Sequence, residues 1–193
     1  MRYIFILFIC CSFASCNNEA ANTNSQTTET AVAAPKPQPQ SNLGDAGTSG
    51  LMEVVKKYFV LKNALVATKA ADANSAAGQL ASQANDFLIS LQNDSINKAH
   101  LAPYLDTIIT ASKTITSIDD KTCEKQRIVF EQISTSIYGL AHKAELKNAK
   151  IYHQYCPMAF NDKGAYWLSE ESEIKNPYFG KKMLECGEVT DSL

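Results

Sequence analysis

Apolar residues recur at three- and four-residue steps through four successive stretches of the chain, and that period predicts four amphipathic helices. The first stretch carries Leu51, Val54, Val55, Tyr58, Leu61 and Leu65. The second carries Ala73, Ala76, Ala77, Leu80, Ala84, Phe87, Leu88 and Leu91. Its alanines are strong helix formers and let a neighbouring helix come close. The third carries Leu101, Tyr104, Leu105, Ile108, Ile115 and Ile118, with Pro103 tolerable only in the first turn. The fourth follows Asp119 and Asp120, both good N-cap residues, and carries Phe130, Ile133, Ile137, Leu140 and Ala144. Short polar breaks separate the stretches, which predicts sequential antiparallel packing: a mainly α fold, an up-down four-helix bundle.

After Lys150 the helical stripe gives way to aromatic residues and turn formers: Tyr152, Tyr155, Phe160, Tyr166, Trp167, Tyr178 and Phe179. Asn161-Asp162-Lys163-Gly164 is a turn signal between two short extended runs. Asn176-Pro177 and Gly180 mark a second turn. The segment 151–193 therefore reads as a hairpin plus a short helical turn laid against one end of the bundle. That turn would carry Met183 and Cys186, with Gly187 as its cap.

The N-terminal pattern is different again. Arg2 precedes the apolar run Tyr3 to Ile9, as in a secretory signal. The run falls short of the about 20 apolar residues that a membrane-spanning helix needs. Phe13-Ala14-Ser15-Cys16 resembles the lipobox of bacterial lipoproteins, which implies a signal peptide over 1–15 and a lipid anchor on Cys16. Asn17 follows the anchor, with no aspartate to signal inner-membrane retention. The expected address is the cell envelope, as an outer-membrane lipoprotein facing the periplasm. Residues 16–49, rich in Asn, Thr, Ser, Gln and Ala with prolines from Pro35 to Pro39, read as a disordered tether. A single helical domain is expected over 50–193. The formal net charge of −2 gives no electrostatic case for nucleic acid.

Candidate chemistry is concentrated in sulfur. Removal of the signal takes Cys10 and Cys11, and lipidation takes Cys16, leaving Cys123, Cys156 and Cys186. Cys123 stands seven residues before Phe130 and reads as a buried structural thiol. Cys156-Pro157-Met158 and Met183-x-x-Cys186 pair a thiolate with a thioether in each of two short segments. Such soft ligands favour Cu(I), and Ag(I) by the same chemistry. Cys156, Met158, Met183 and Cys186 form the expected metal set, with His153 as a candidate fifth group. Zinc on His153, Cys156 and Cys186 is the competing metal assignment. In an oxidising compartment a Cys156–Cys186 disulfide is the alternative. The chain shows no nucleophile–base arrangement and no phosphate loop, so it does not read as an enzyme.

The run from Ile151 to Met158, then Gly164 to Ser169, then Ile174-x-Asn176-Pro177-Tyr178-Phe179-Gly180-x-x-Met183-Leu184-x-Cys186-Gly187, resembles a bacterial envelope domain of unknown function. Tyr58-x-x-Leu61-Lys62-x-Ala64-Leu65 and Arg127-x-x-Phe130 fit the same family. That domain occurs in small lipoproteins and at the C-terminus of periplasmic adaptor subunits of heavy-metal efflux pumps. The resemblance implies soft-metal handling by association, with an efflux adaptor or another envelope protein as partner. It implies no enzymatic activity.

Overall fold

A computed structural model describes residues 38–193. The expected signal peptide, the anchor Cys16 and the tether as far as residue 37 lie outside the described residues. Four long helices occupy most of that span: α1 (Gly44–Val66), α2 (Ala70–Ser90), α3 (Ser95–Thr116) and α4 (Glu124–Lys143). They are followed by strands β1 (Tyr152–Cys156), β2 (Ala165–Ser169) and β3 (Glu188–Ser192). The predicted stripes are the core: Tyr58, Leu65, Leu80, Leu105, Ile108, Phe130 and Ile137 are fully buried. Each helix packs chiefly on its chain neighbours, α1 on α2, α2 on α3 and α3 on α4.

Two helix expectations need correction. α1 begins at Gly44, inside the expected 16–49 tether. Glycine and serine there read as linker, yet they serve close packing. A Cβ on Gly50 would stand 2.8 Å from the Phe87 ring of α2. Gln40 also pairs with Lys147 across an isolated antiparallel bridge. Pro103 lies well inside α3, not in its first turn. Asp94 caps that helix by accepting from the Asn97 amide at 3.0 Å. Pro103 and Ala99, whose carbonyl loses its helical partner, are both exposed, so water can satisfy the orphan group.

The strands form an antiparallel sheet in the order β2-β1-β3. The β1–β2 hairpin follows the turn signal at Asn161 to Gly164, whereas β3 was not legible: all five of its residues are exposed. The sheet does not sit at one end of the helices. It lies along α1 and α4, whose backbones approach each other little. Contacts run from Arg127 Nε, donating to Pro177 O at 2.8 Å, to Tyr138, stacked on His153. That is about three turns of α4, roughly 17 Å.

Three polar side chains lock this docking. The Tyr58 hydroxyl accepts the Leu168 amide at 3.0 Å and meets Ser134 Oγ at 2.8 Å. Lys62, 1 % exposed, reaches Glu170 at 2.7 Å and Ser169 Oγ at 3.2 Å. The Arg127 guanidinium donates to Pro177 O, Thr122 O, Leu65 O and Thr68 Oγ1. Buried cations are costly unless paired, and here each donor faces an oxygen.

Candidate functional site: a buried thiol pair beside a methionine groove

Alternation along β1 decides what the site contains. Successive residues of a strand point to opposite faces. Gln154 turns away from the helices: its side-chain amide donates to the carbonyls of Glu171 and Ser172 at 2.9 and 3.3 Å. Cys156 shares that face. His153 takes the other, stacked between Tyr138 of α4 (centroids 3.8 Å apart) and Tyr166 (4.7 Å). Its Nδ1 lies 3.2 Å from Thr190 Oγ1. Burial in this stack lowers the His153 pKa. His153 therefore does not join the sulfur site, although it stands only three residues from Cys156. The zinc assignment loses its histidine by the same geometry.

The loop 171–187 covers the face that carries Cys156 and brings Cys186 to it. The two sulfurs are 2.8 Å apart, across 30 residues of sequence. Both thiols are free, Cys156 fully buried and Cys186 half-buried. Burial and the neighbouring Cys156 thiol push the Cys186 pKa up to about 11, and the Met158 backbone amide opposes this. Asn176, fully buried, positions the loop: Oδ1 accepts from the Tyr178 amide at 2.8 Å, and Nδ2 donates to Cys186 O at 2.7 Å. Gly187 has φ +146°, and a Cβ there would stand 2.7 Å from Tyr155 O and 2.8 Å from the Trp167 ring. The indole of Trp167, fully buried, thus floors the site beside Gly187. Beneath it, Trp167 Nε1 and Gln154 Oε1, on paired residues of β2 and β1, both lack a hydrogen-bond partner. Unpaired buried polar atoms are costly, and native structures keep few of them.

The expected short helix carrying Met183 and Cys186 is not formed. A 3-10 turn covers Gly180–Lys182 only, and beyond it the Cys186 amide donates to Met183 O at 3.3 Å and the Asn176 amide to Leu184 O at 2.8 Å. Met158 and Met183 instead line one open groove of about 680 Å³ with Ile128, Phe160 and Phe179. Met158 is 47 % exposed. Phe160, Asn161 and Asp162 beside it are successive left-handed residues, with φ of 53°, 58° and 63°. Such a conformation costs roughly 1–2 kcal/mol at a residue like Phe160.

Cys123 is fully buried at the N-terminus of α4, left-handed at φ 63°, and takes no place beside the thiol pair. Among the described residues no cluster of three or more His, Cys, Asp or Glu side chains is placed to hold a metal ion. Any metal here therefore depends on the cysteine pair with thioether or exogenous ligands. Assuming metal–thiolate bonds of about 2.3 Å, tetrahedral binding needs the sulfurs about 3.8 Å apart and linear binding about 4.6 Å. A disulfide needs about 2.05 Å. The observed 2.8 Å lies between these, so a disulfide requires the sulfurs to close by about 0.8 Å and a bound metal requires them to part by about 1.0–1.8 Å.

Residues 54–149 match a family model described as Protein of unknown function (DUF3347). The matched segment covers most of α1 and all of α2, α3 and α4, and ends before β1 and the thiol pair. Comparison with curated proteins and with solved structures gives no match.

Proposed function

We propose that this chain is an envelope lipoprotein, anchored through a lipid on Cys16, that binds a soft metal ion at Cys156 and Cys186. Cu(I) is the expected cargo, and Ag(I) would bind by the same chemistry. The protein buffers the ion or hands it to a heavy-metal efflux system, and performs no catalysis. The observation that carries this reading is the 2.8 Å contact between two free thiols 30 residues apart, on the face of the sheet floored by Trp167. Helices that pack in sequence support the up-down arrangement, with the sheet held in the groove between α1 and α4 as the platform for the site.

The same contact supports a second reading. Oxidised, Cys156 and Cys186 would staple the C-terminal loop to β1, and the domain would act as an interaction module docking on an envelope partner such as an efflux adaptor. Thiol counting on protein isolated without reductant separates the two. A stable Cys156–Cys186 bond that resists mild reductant, with no metal uptake, favours the module. Two free thiols that take up Cu(I) favour the carrier.

A further inference from the structure

Four sulfur donors were expected to converge, yet the fold keeps them in two places. Cys156 is fully buried and Cys186 half-buried, their sulfurs in contact over the Trp167 floor. Met158 and Met183 line a groove open to solvent that the cysteines do not line. The two places adjoin. The Met158 backbone amide faces the Cys186 sulfur, and Met183 O accepts the Cys186 amide.

We infer that the sulfur donors form two stations, with Met158 and Met183 receiving a soft monovalent cation in the open groove before Cys156 and Cys186 retain it. This rests on the soft-metal reading above. The open groove meets the cation first because Met158 is 47 % exposed, while Cys156 is wholly shielded and Cys186 half-buried. Thioethers carry no proton and no charge, so they bind such an ion weakly and release it readily, whereas thiolates hold it strongly. The groove's charges offset one another: Glu124 and Asp162 against Arg127 and Lys182, with Lys182 paired to Glu124 at 3.3 Å. Arg127 is further tied to backbone carbonyls, so among the described residues that line the groove each cation is already paired. Transfer inward breaks metal–thioether bonds and forms metal–thiolate bonds. The thiol protons pass to solvent and the metal is not oxidised.

The test uses Ag(I), which avoids redox change, on the full-length, reduced chain with Cys10, Cys11 and Cys16 changed to Ser and its methionine ε-methyl groups labelled. In the Cys156→Ser, Cys186→Ser variant, the Met158 and Met183 methyl resonances should shift together on Ag(I) addition, with Met52 unmoved. In the Met158→Leu, Met183→Leu variant, uptake by the thiol pair should slow while its final affinity is largely kept. If the two methyl resonances stay in place in the double cysteine variant, the outer station is refuted and the cysteine site stands alone. If the unaltered chain takes up no more Ag(I) than the double cysteine variant, the soft-metal reading falls, and the two-station inference with it.

Discussion

Replacing Tyr58 by Phe removes one oxygen from the centre of the molecule and leaves the packing volume nearly unchanged. That oxygen joins α1 to both of its neighbours across the groove: it accepts the Leu168 amide of β2 at 3.0 Å and meets Ser134 Oγ of α4 at 2.8 Å. Tyr58 is fully buried, and burial holds its phenol pKa well above the ordinary value, so the neutral hydroxyl makes both bonds. The Ser134 hydroxyl can turn to the carbonyl one helical turn earlier. The Leu168 amide has no such recourse, because β2 is an edge strand and its outer side faces Tyr58. One orphaned buried donor costs about 1–3 kcal/mol. For a domain of this size each kcal/mol lowers Tm by about 2–4 °C, so the expected drop is roughly 2–12 °C. Thermal unfolding measures the sum, and amide hydrogen exchange at Leu168 locates it. A Tyr58→Phe protein with unchanged Tm and unchanged protection at Leu168 would refute the account of how the sheet is held.

Lys62 and Glu170 should respond unequally to deletion. Glu170→Ala strands an ammonium whose side chain is 2 % exposed, which costs about 3–5 kcal/mol, whereas Lys62→Met leaves a 37 % exposed carboxylate that rehydrates at far smaller cost. Equal destabilisation in denaturant titrations would contradict this. Asp120 caps α4 from outside: the Thr122 hydroxyl, with the Lys125 and Thr122 amides, holds its pKa down to about 2. Its stabilisation is complete above the unfolded value of about 3.9 and is lost as pH falls toward 2. Asp120→Asn should remove that part of the acid dependence of Tm, and an unaltered profile would count against the cap. Gly187→Ala would press a methyl against Tyr155 O and the Trp167 ring at a φ that favours glycine, straining the loop by about 1–3 kcal/mol. Cys186 should then react faster with a thiol reagent, and unchanged labelling would show that the loop is not set by this contact.

The helices were legible because each carries an apolar stripe of period 3.6, and those stripes are the buried residues. The start of α1 was not, since Gly44 to Gly50 offers only Thr48 to the interior and its glycines look like linker until Phe87 is seen packed on Gly50. β3 carries no alternating pattern, and only its pairing with β1 makes it a strand. The nearness of Cys156 to Cys186 is tertiary, fixed by Asn176, whose turn was readable but whose second bond, to Cys186 O, was not. His153 illustrates a signal present and unused: three residues from Cys156 on a strand means opposite faces. Lys62 illustrates another. It sits four residues after Tyr58 within the apolar stripe of α1, where a lysine needs a buried partner, and Glu170 supplies it.

The central claim is that Cys156 and Cys186 act together on a soft metal ion. Its most direct test is an anaerobic Cu(I) titration of the full chain, with Cys10, Cys11 and Cys16 changed to Ser, against a competing chelator, before and after reduction, beside the same chain carrying Cys156→Ser and Cys186→Ser. The account predicts one tightly bound equivalent that appears only in the reduced protein and is absent from the variant. Full Cu(I) affinity in the variant, or no difference between reduced wild type and variant, would contradict it.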